Sequence, residues 1–212
     1  PAVLTNLATP IGGSIVLRIM SEHGDGAVAA SSILARILPL SFAAVFAVSG
    51  AVGPIVGQNA GACHYERVRQ TLLNASMFVI VYVLSVWVVL NIALDGIVAL
   101  FATSALAEDL LRFYIRFLVG FFALNGLLFV ANASFNNLGR AYFATLFNYA
   151  KVLIGVIPGA YLGSQYLDAR GALLGESIGM AIFGLAGMLT ALALVKRLQR
   201  DYPPLEPVKA ES

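Results

Sequence analysis

Asn125, Asn132 and Asn136 recur at intervals of seven and four residues inside one apolar run, and Thr145, Asn148 and Lys151 recur every three inside the next. Such spacings put side chains on a shared face of a helix, and Asn137 lies beside the first set. An amide brings two N–H donors and a carbonyl acceptor, and a lysine brings three donors and a charge. No reactive set accompanies them. His23 and His64 are isolated, Cys63 is the single cysteine, and no Gly-rich phosphate loop ends in Lys-Ser/Thr. Metal ligation, disulfide pairing, ATP hydrolysis and covalent catalysis therefore lack their residues. The two faces point to binding without bond-making. They fit a cavity lined by Asn125, Asn132, Asn136, Asn148 and Lys151, with the lysine repelling or positioning charge. They also fit interhelical hydrogen bonding, with the lysine paired to a carbonyl. No cofactor, no metal and no enzymatic activity are expected.

The elements that carry these faces are six apolar runs, Val3 to Met20, Ala27 to Gly57, Val68 to Leu94, Leu110 to Leu138, Ala141 to Leu162 and Ala172 to Leu198. The 212-residue chain is 59% hydrophobic and 11% charged, with a mean hydropathy of +0.86. A helix crosses the hydrocarbon core with about 20 apolar residues. The runs lack strict alternation and are too long for barrel strands. The expected fold is all-α: a polytopic membrane bundle of six helices over residues 1–200, lying in a lipid bilayer. The polar, Pro-rich segment 201–212 is expected to be a disordered cytoplasmic tail. Lys151 follows Arg140 by about eleven residues, roughly 16 Å at helical rise, so it must face protein or water, or snorkel. Arg36 and Glu176 are expected to snorkel near the outer interface. The stretch Ile97 to Phe101 is too short to span and is expected to lie at that interface.

Net charge is +2 without a basic patch, so no nucleic-acid partner is expected. His64, Arg67 and Arg69, then Arg140, then Lys196, Arg197 and Arg200 fall on one side of a six-span arrangement. Glu22, Asp25, Asp95, Glu108, Asp109 and Asp168 fall on the other, together with Arg18, Arg112, Arg116 and Arg170. The bias of basic residues places the C-terminus in the cytoplasm. Gly155, Gly159 and Gly163, Gly171, Gly175 and Gly179, and Gly53, Gly57 and Gly61 recur every four residues. Such stripes let helix backbones approach closely in lipid. Pro10, Pro39, Pro54 and Pro158 interrupt helices and can bend them. The chain opens on Pro1 and enters an apolar run at once, so a preceding segment is expected.

The stretch GAVGPIVGQNAGACHYERVRQTL (Gly50 to Leu72) resembles the loop after the eighth helix of the multidrug and toxic compound extrusion (MATE) family. Its usual form there is close to P-x-x-G-Q-N-x-G-A-G, so Cys63 stands where glycine is usual. Pro1 to Ala30 is similar to the family's seventh helix and following turn. Asn132 to Val152 (NASFNNLGRAYFATLFNYAKV) is similar to the tenth-to-eleventh connection, and VIPGAYLG around Pro158 to the eleventh helix. The likeness spans nearly the whole chain, in order, and concerns the C-terminal half of that family.

This resemblance implies one lobe of a twelve-helix transporter whose partner is an absent N-terminal six-helix bundle. It implies cation-coupled antiport of small organic, often cationic, compounds by alternating access, in a bacterial cytoplasmic (inner) membrane. The carboxylates that some members place in the seventh and tenth helices do not carry over. The first run has no acid before Glu22, and Asn125 stands near the second position. The coupling ion stays open between H+ and Na+. A lipid-linked precursor flippase or polysaccharide exporter of the same superfamily, and a non-transporting remnant, are the alternatives.

Overall fold

The computed structural model describes residues 2–101 and 104–203, with side chains from Pro10 onward. The expected tail therefore lies, beyond Pro203, outside the described residues. Every regular element described is helical, in the order α1 (Ala2–Ser21), α2 (Asp25–Ser41), α3 (Ala43–Gly61), α4 (Tyr65–Ile92), α5 (Leu94–Phe101), α6 (Ala105–Phe113), α7 (Phe122–Asn137), α8 (Ala141–Ala150) and α9 (Ile157–Asp201). Four continuous helical stretches are long and apolar enough to cross a membrane: Ala43–Gly61, Tyr65–Ile92, Ala105–Asn137 and Ala141–Asp201. They turn large apolar side chains outward, with Met77 and Ile154 each 68% exposed. In water such faces would be costly, and in lipid they are the solvent-facing surface.

Irregular turns shape these rods. The second apolar run is broken at Phe42, with φ −110° and ψ 19°. Pro39 gives no N–H to the carbonyl four residues back, which weakens the helix just before the break. Phe42 itself is fully buried and stacks on Phe122 with centroids 4.1 Å apart. A π-helical turn, Tyr114–Leu118, and a 3-10 turn, Val119–Phe121, join α6 to α7. The carbonyl of Ile115 in that wide turn accepts from Trp87 Nε1 at 2.9 Å and from Asn91 Nδ2 at 3.3 Å. A second π turn, Lys151–Val156, joins α8 to α9 just before Pro158.

Helix α9 is two rods. At Leu167 and Asp168 the backbone leaves helical geometry, with Asp168 at φ 51°. The chain doubles back there, so Gly155, Gly159 and Gly163 lie opposite Gly179, Gly175 and Gly171. A Cβ on Gly159 would stand 2.5 Å from the carbonyl oxygen of Gly175. The expected stripe is thus a backbone-to-backbone contact that any side chain would open. Helix α7 is the hub of the bundle, and packs against α3, α4, α8 and α9. Its Leu128, Val130, Ala131 and Phe135 are almost completely buried.

The stretch Gly50 to Leu72 is not the loop its sequence suggested. Helix α3 continues through Gly57, Gln58 and Asn59 to Gly61, and α4 resumes at Tyr65. Only Ala62–His64 turns, and Cys63 takes φ 57° there. The short α5 lies where a non-spanning segment was expected. Arg112 reaches Asp95 at 2.6 Å and Glu108 at 2.9 Å, and Arg170 pairs with Asp109. These four residues and Glu108 gather at one end of the rods. The turn at Cys63, the turn after Asn137 and the end of α9 lie at the other, where Tyr65 and Tyr202 interact.

Candidate functional site

Between α1, α3, α7 and α8 the bundle leaves an open groove of about 640 Å³. One wall is α7, with Phe129, Asn132, Ala133, Asn136 and Asn137. The other is the small-residue face of α3, with Ser49, Gly50, Gly53 and Pro54. Pro10 of α1 and Asn148 of α8 complete it. Ser49 and Gly53 fall four residues apart, so α3 turns short side chains toward α7 along this stretch, while Phe46, one turn earlier, meets the Phe129 ring edge-on at 5.0 Å. A Cβ on Gly53 would stand 2.7 Å from Asn137 Nδ2, so the width of this seam is set by the missing side chain.

The groove is polar without being charged. None of the described lining residues is Asp, Glu, Lys, Arg or His. Ser49 Oγ donates to the Phe129 carbonyl at 2.9 Å, which ties the two walls together. Asn137 Nδ2 donates to the Ala133 carbonyl and Asn148 Nδ2 to that of Ala144, each at 2.8 Å. In both, one amide hydrogen is held by the residue's own helix. Asn132 Oδ1 is buried and accepts nothing from any described residue. A buried, unsatisfied carbonyl costs about 1–3 kcal/mol unless a ligand or water donates to it.

The structure divides the five residues singled out from the sequence. Asn132, Asn136 and Asn148 share the groove. Asn125 belongs to a separate void of about 10 Å³ beside Tyr114, Ser177 and Met180. Its Oδ1 is likewise without a described partner, and the space is about that of one water. Lys151 lines neither space and is 5% exposed. It opens the second π turn, with Nζ 5.9 Å from the centroid of Phe129. Phe129 also lines the groove, so this one residue meets both the groove and the lysine.

Lys151 also interacts electrostatically with Glu176, which in turn interacts with Tyr114, the first residue of the other π turn. Glu176 therefore turns toward the bundle and does not snorkel as its sequence position suggested. Sequence reasoning missed the α3 wall and Phe129. The signal for the wall was present in the four-residue spacing of Ser49, Gly53 and Gly57, which equally fits helix packing. Among the described residues, no group of three or more His, Cys, Asp or Glu side chains is arranged to hold a metal.

An all-helical bundle with an uncharged open groove and no reactive cluster has the build of a transporter lobe. The MatE family model matches residues 1–162, and the chain belongs to that family. Its members are transporters and not enzymes. A protein of Shewanella oneidensis called "FAD transporter" is 27% identical over 186 residues, covering 88% of this chain and 41% of that protein. The bent form of the Vibrio cholerae MATE transporter VcmN superposes with a TM-score of 0.89 at 21% identity, over 95% of this chain and 46% of that one. A MOP superfamily transporter from Pyrococcus furiosus gives a TM-score of 0.86 at 20% identity, over 92% of this chain and 45% of that one. The chain thus spans less than half the length of these relatives.

Proposed function

We propose that this chain is the C-terminal half of a cation-coupled antiporter that exports organic compounds by alternating access. The groove between α3 and α7 carries the reading: it is open on one flank, uncharged and rich in amides. In a two-bundle transporter, substrate sites lie near the membrane midplane at the interface of the repeats. The groove would be one wall of such a site, and an N-terminal six-helix bundle would supply the other. On this reading the rods make six crossings of a bacterial inner membrane, counting α2 with α3 and dividing α9 at Asp168. The three more basic connections then face the cytoplasm. Coupling is to H+ or Na+.

The test is transport by the full-length protein in liposomes under an imposed H+ or Na+ gradient. Counterflow of an organic substrate under either gradient supports the reading, and identifies the ion. No movement of flavin, nucleotide or cationic dye under either gradient overturns it. The relative named for FAD favours a second reading of the substrate, a flavin nucleotide in place of a cationic drug.

A further inference from the structure

We infer that the groove of this half recognises the neutral donor–acceptor edge of a planar heterocycle, such as a cyclic imide, and not a positive charge. The inference rests on the transport reading above and names the class of substrate that its groove selects. Three features carry it. First, among the described residues the polar groups in the groove are amides and one hydroxyl, with no carboxylate among them. An amide side chain pairs in two-point fashion with an edge that has a donor beside an acceptor, as asparagine does with a nucleobase. Second, Asn132 Oδ1 is buried at the groove wall with no donor among the described residues. It is an acceptor that lacks its N–H. Asn136, one helical turn on, is exposed in the same groove and can supply the neighbouring contact.

Third, the arrangement works against cations. A cation is held by carboxylates or by the open faces of aromatic rings. The one aromatic ring in the groove is Phe129, and Lys151 Nζ already stands 5.9 Å from its centroid. The quadrupole of that ring is engaged by a cation of the protein's own. The same cation places a positive charge close to a residue of the wall, and Glu176, with which it interacts, offsets that charge only in part where the two are unequally far from the groove. An imide has an N–H flanked by two carbonyls. Its N–H can donate to Asn132 Oδ1 while a carbonyl accepts from an amide N–H, and it carries no charge for Lys151 to repel.

The experiment uses the purified full-length protein in detergent, with riboflavin as the imide probe and tetraphenylphosphonium as the cation without donors. Riboflavin binding is read by its own fluorescence and the cation by equilibrium dialysis. Asn132→Ala is expected to weaken riboflavin binding about tenfold, the worth of one well-placed hydrogen bond, and to leave the cation within about twofold. Asn136→Ala, at an exposed position, gives the same comparison if Asn132→Ala fails to fold. Equal loss for both probes overturns the inference, because the amides then hold only the shape of the groove. Riboflavin that does not bind, or that binds the variants as well as the parent, overturns it too. The transport reading fails separately, by binding that persists in detergent with no gradient-driven movement in liposomes.

Discussion

Lys151 Nζ lies 5.9 Å from the centroid of the Phe129 ring, and Phe129 is also one of the residues that line the groove. The lysine is 5% exposed and sits at the first residue of a π turn. The wide turn provides the room that an α-helical turn would not. Lys151 is not among the residues that line the groove. On the proposed reading its charge, offset in part by Glu176, contributes to the potential in the groove.

Removing that charge should therefore favour cations. Lys151→Met keeps most of the volume against Phe129 and removes the ammonium. At a separation of about 10 Å and an effective dielectric near 20, one charge is worth about 1–2 kcal/mol. Tetraphenylphosphonium should bind the full-length variant about fivefold or more tightly, and a neutral probe should be unaffected. A dialysis measurement showing no gain for the cation would separate Lys151 from the groove. Loss of Lys151 also leaves Glu176 without its nearest opposite charge. The yield of folded variant should be measured alongside.

The second expectation concerns the helical hairpin of α9. Gly159 lies against the carbonyl of Gly175, and an added Cβ would stand 2.5 Å from that oxygen. The obstacle is backbone, so no rotamer change relieves it. Gly159→Leu should part the two rods and reduce folded protein severely, while Gly159→Ala should cost about 1–3 kcal/mol. Size-exclusion profiles of fluorescently tagged full-length protein would show both. A Gly159→Leu variant with a parental profile would remove the close-packing account.

Much of this bundle was legible because membrane helices announce themselves by length and composition. The apolar runs, the glycine stripes and the short segment before Glu108 all have helical counterparts in the structure. The amide face of α7 was legible too, but only in angle. Seven residues return to nearly the same face and also advance about 10 Å along the axis. Asn125 and Asn132 thus share a direction and open into different spaces. Three residues turn a helix through about 300°, short of a full circle. Lys151 accordingly rotates away from Asn148 into the bundle, and its π turn lies outside any regular periodicity. Its approach to Glu176 joins residues on two arms of a hairpin. Spacing within one helix cannot report that contact. Pro39 announced an interruption of the second run, but a full break at Phe42 could not be told from a bend because the apolar run continues straight through it.

A third expectation follows from Cys63. Its φ of 57° lies in the left-handed region, where a Cβ crowds the following carbonyl. That conformation costs a non-glycine residue about 1–2 kcal/mol, and glycine takes it freely. The usual glycine at this position in the family motif now has a backbone reason. Cys63→Gly should raise the stability of the full-length protein by about 1 kcal/mol. An unchanged or lowered melting midpoint would show that the thiol has a packing role that offsets the strain.

The same cysteine tests the orientation of the bundle. Cys63 is half-buried in the turn between α3 and α4, with Arg67 and Arg69 in the first turns of α4. Tyr65 interacts with Tyr202, so this turn and the end of α9 share one side. Lys196, Arg197 and Arg200 bring further basic charge to that side, and on the orientation proposed above this excess of basic residues faces the cytoplasm. In a full-length protein in which Cys63 is the only cysteine, a membrane-impermeant maleimide applied to intact cells should leave the thiol unmodified. Permeabilising the membrane should then allow labelling. A cysteine placed at Ser104, at the opposite end beside Gly26, should react in intact cells. Labelling of Cys63 from outside, with protection of position 104, would invert the bundle in the membrane.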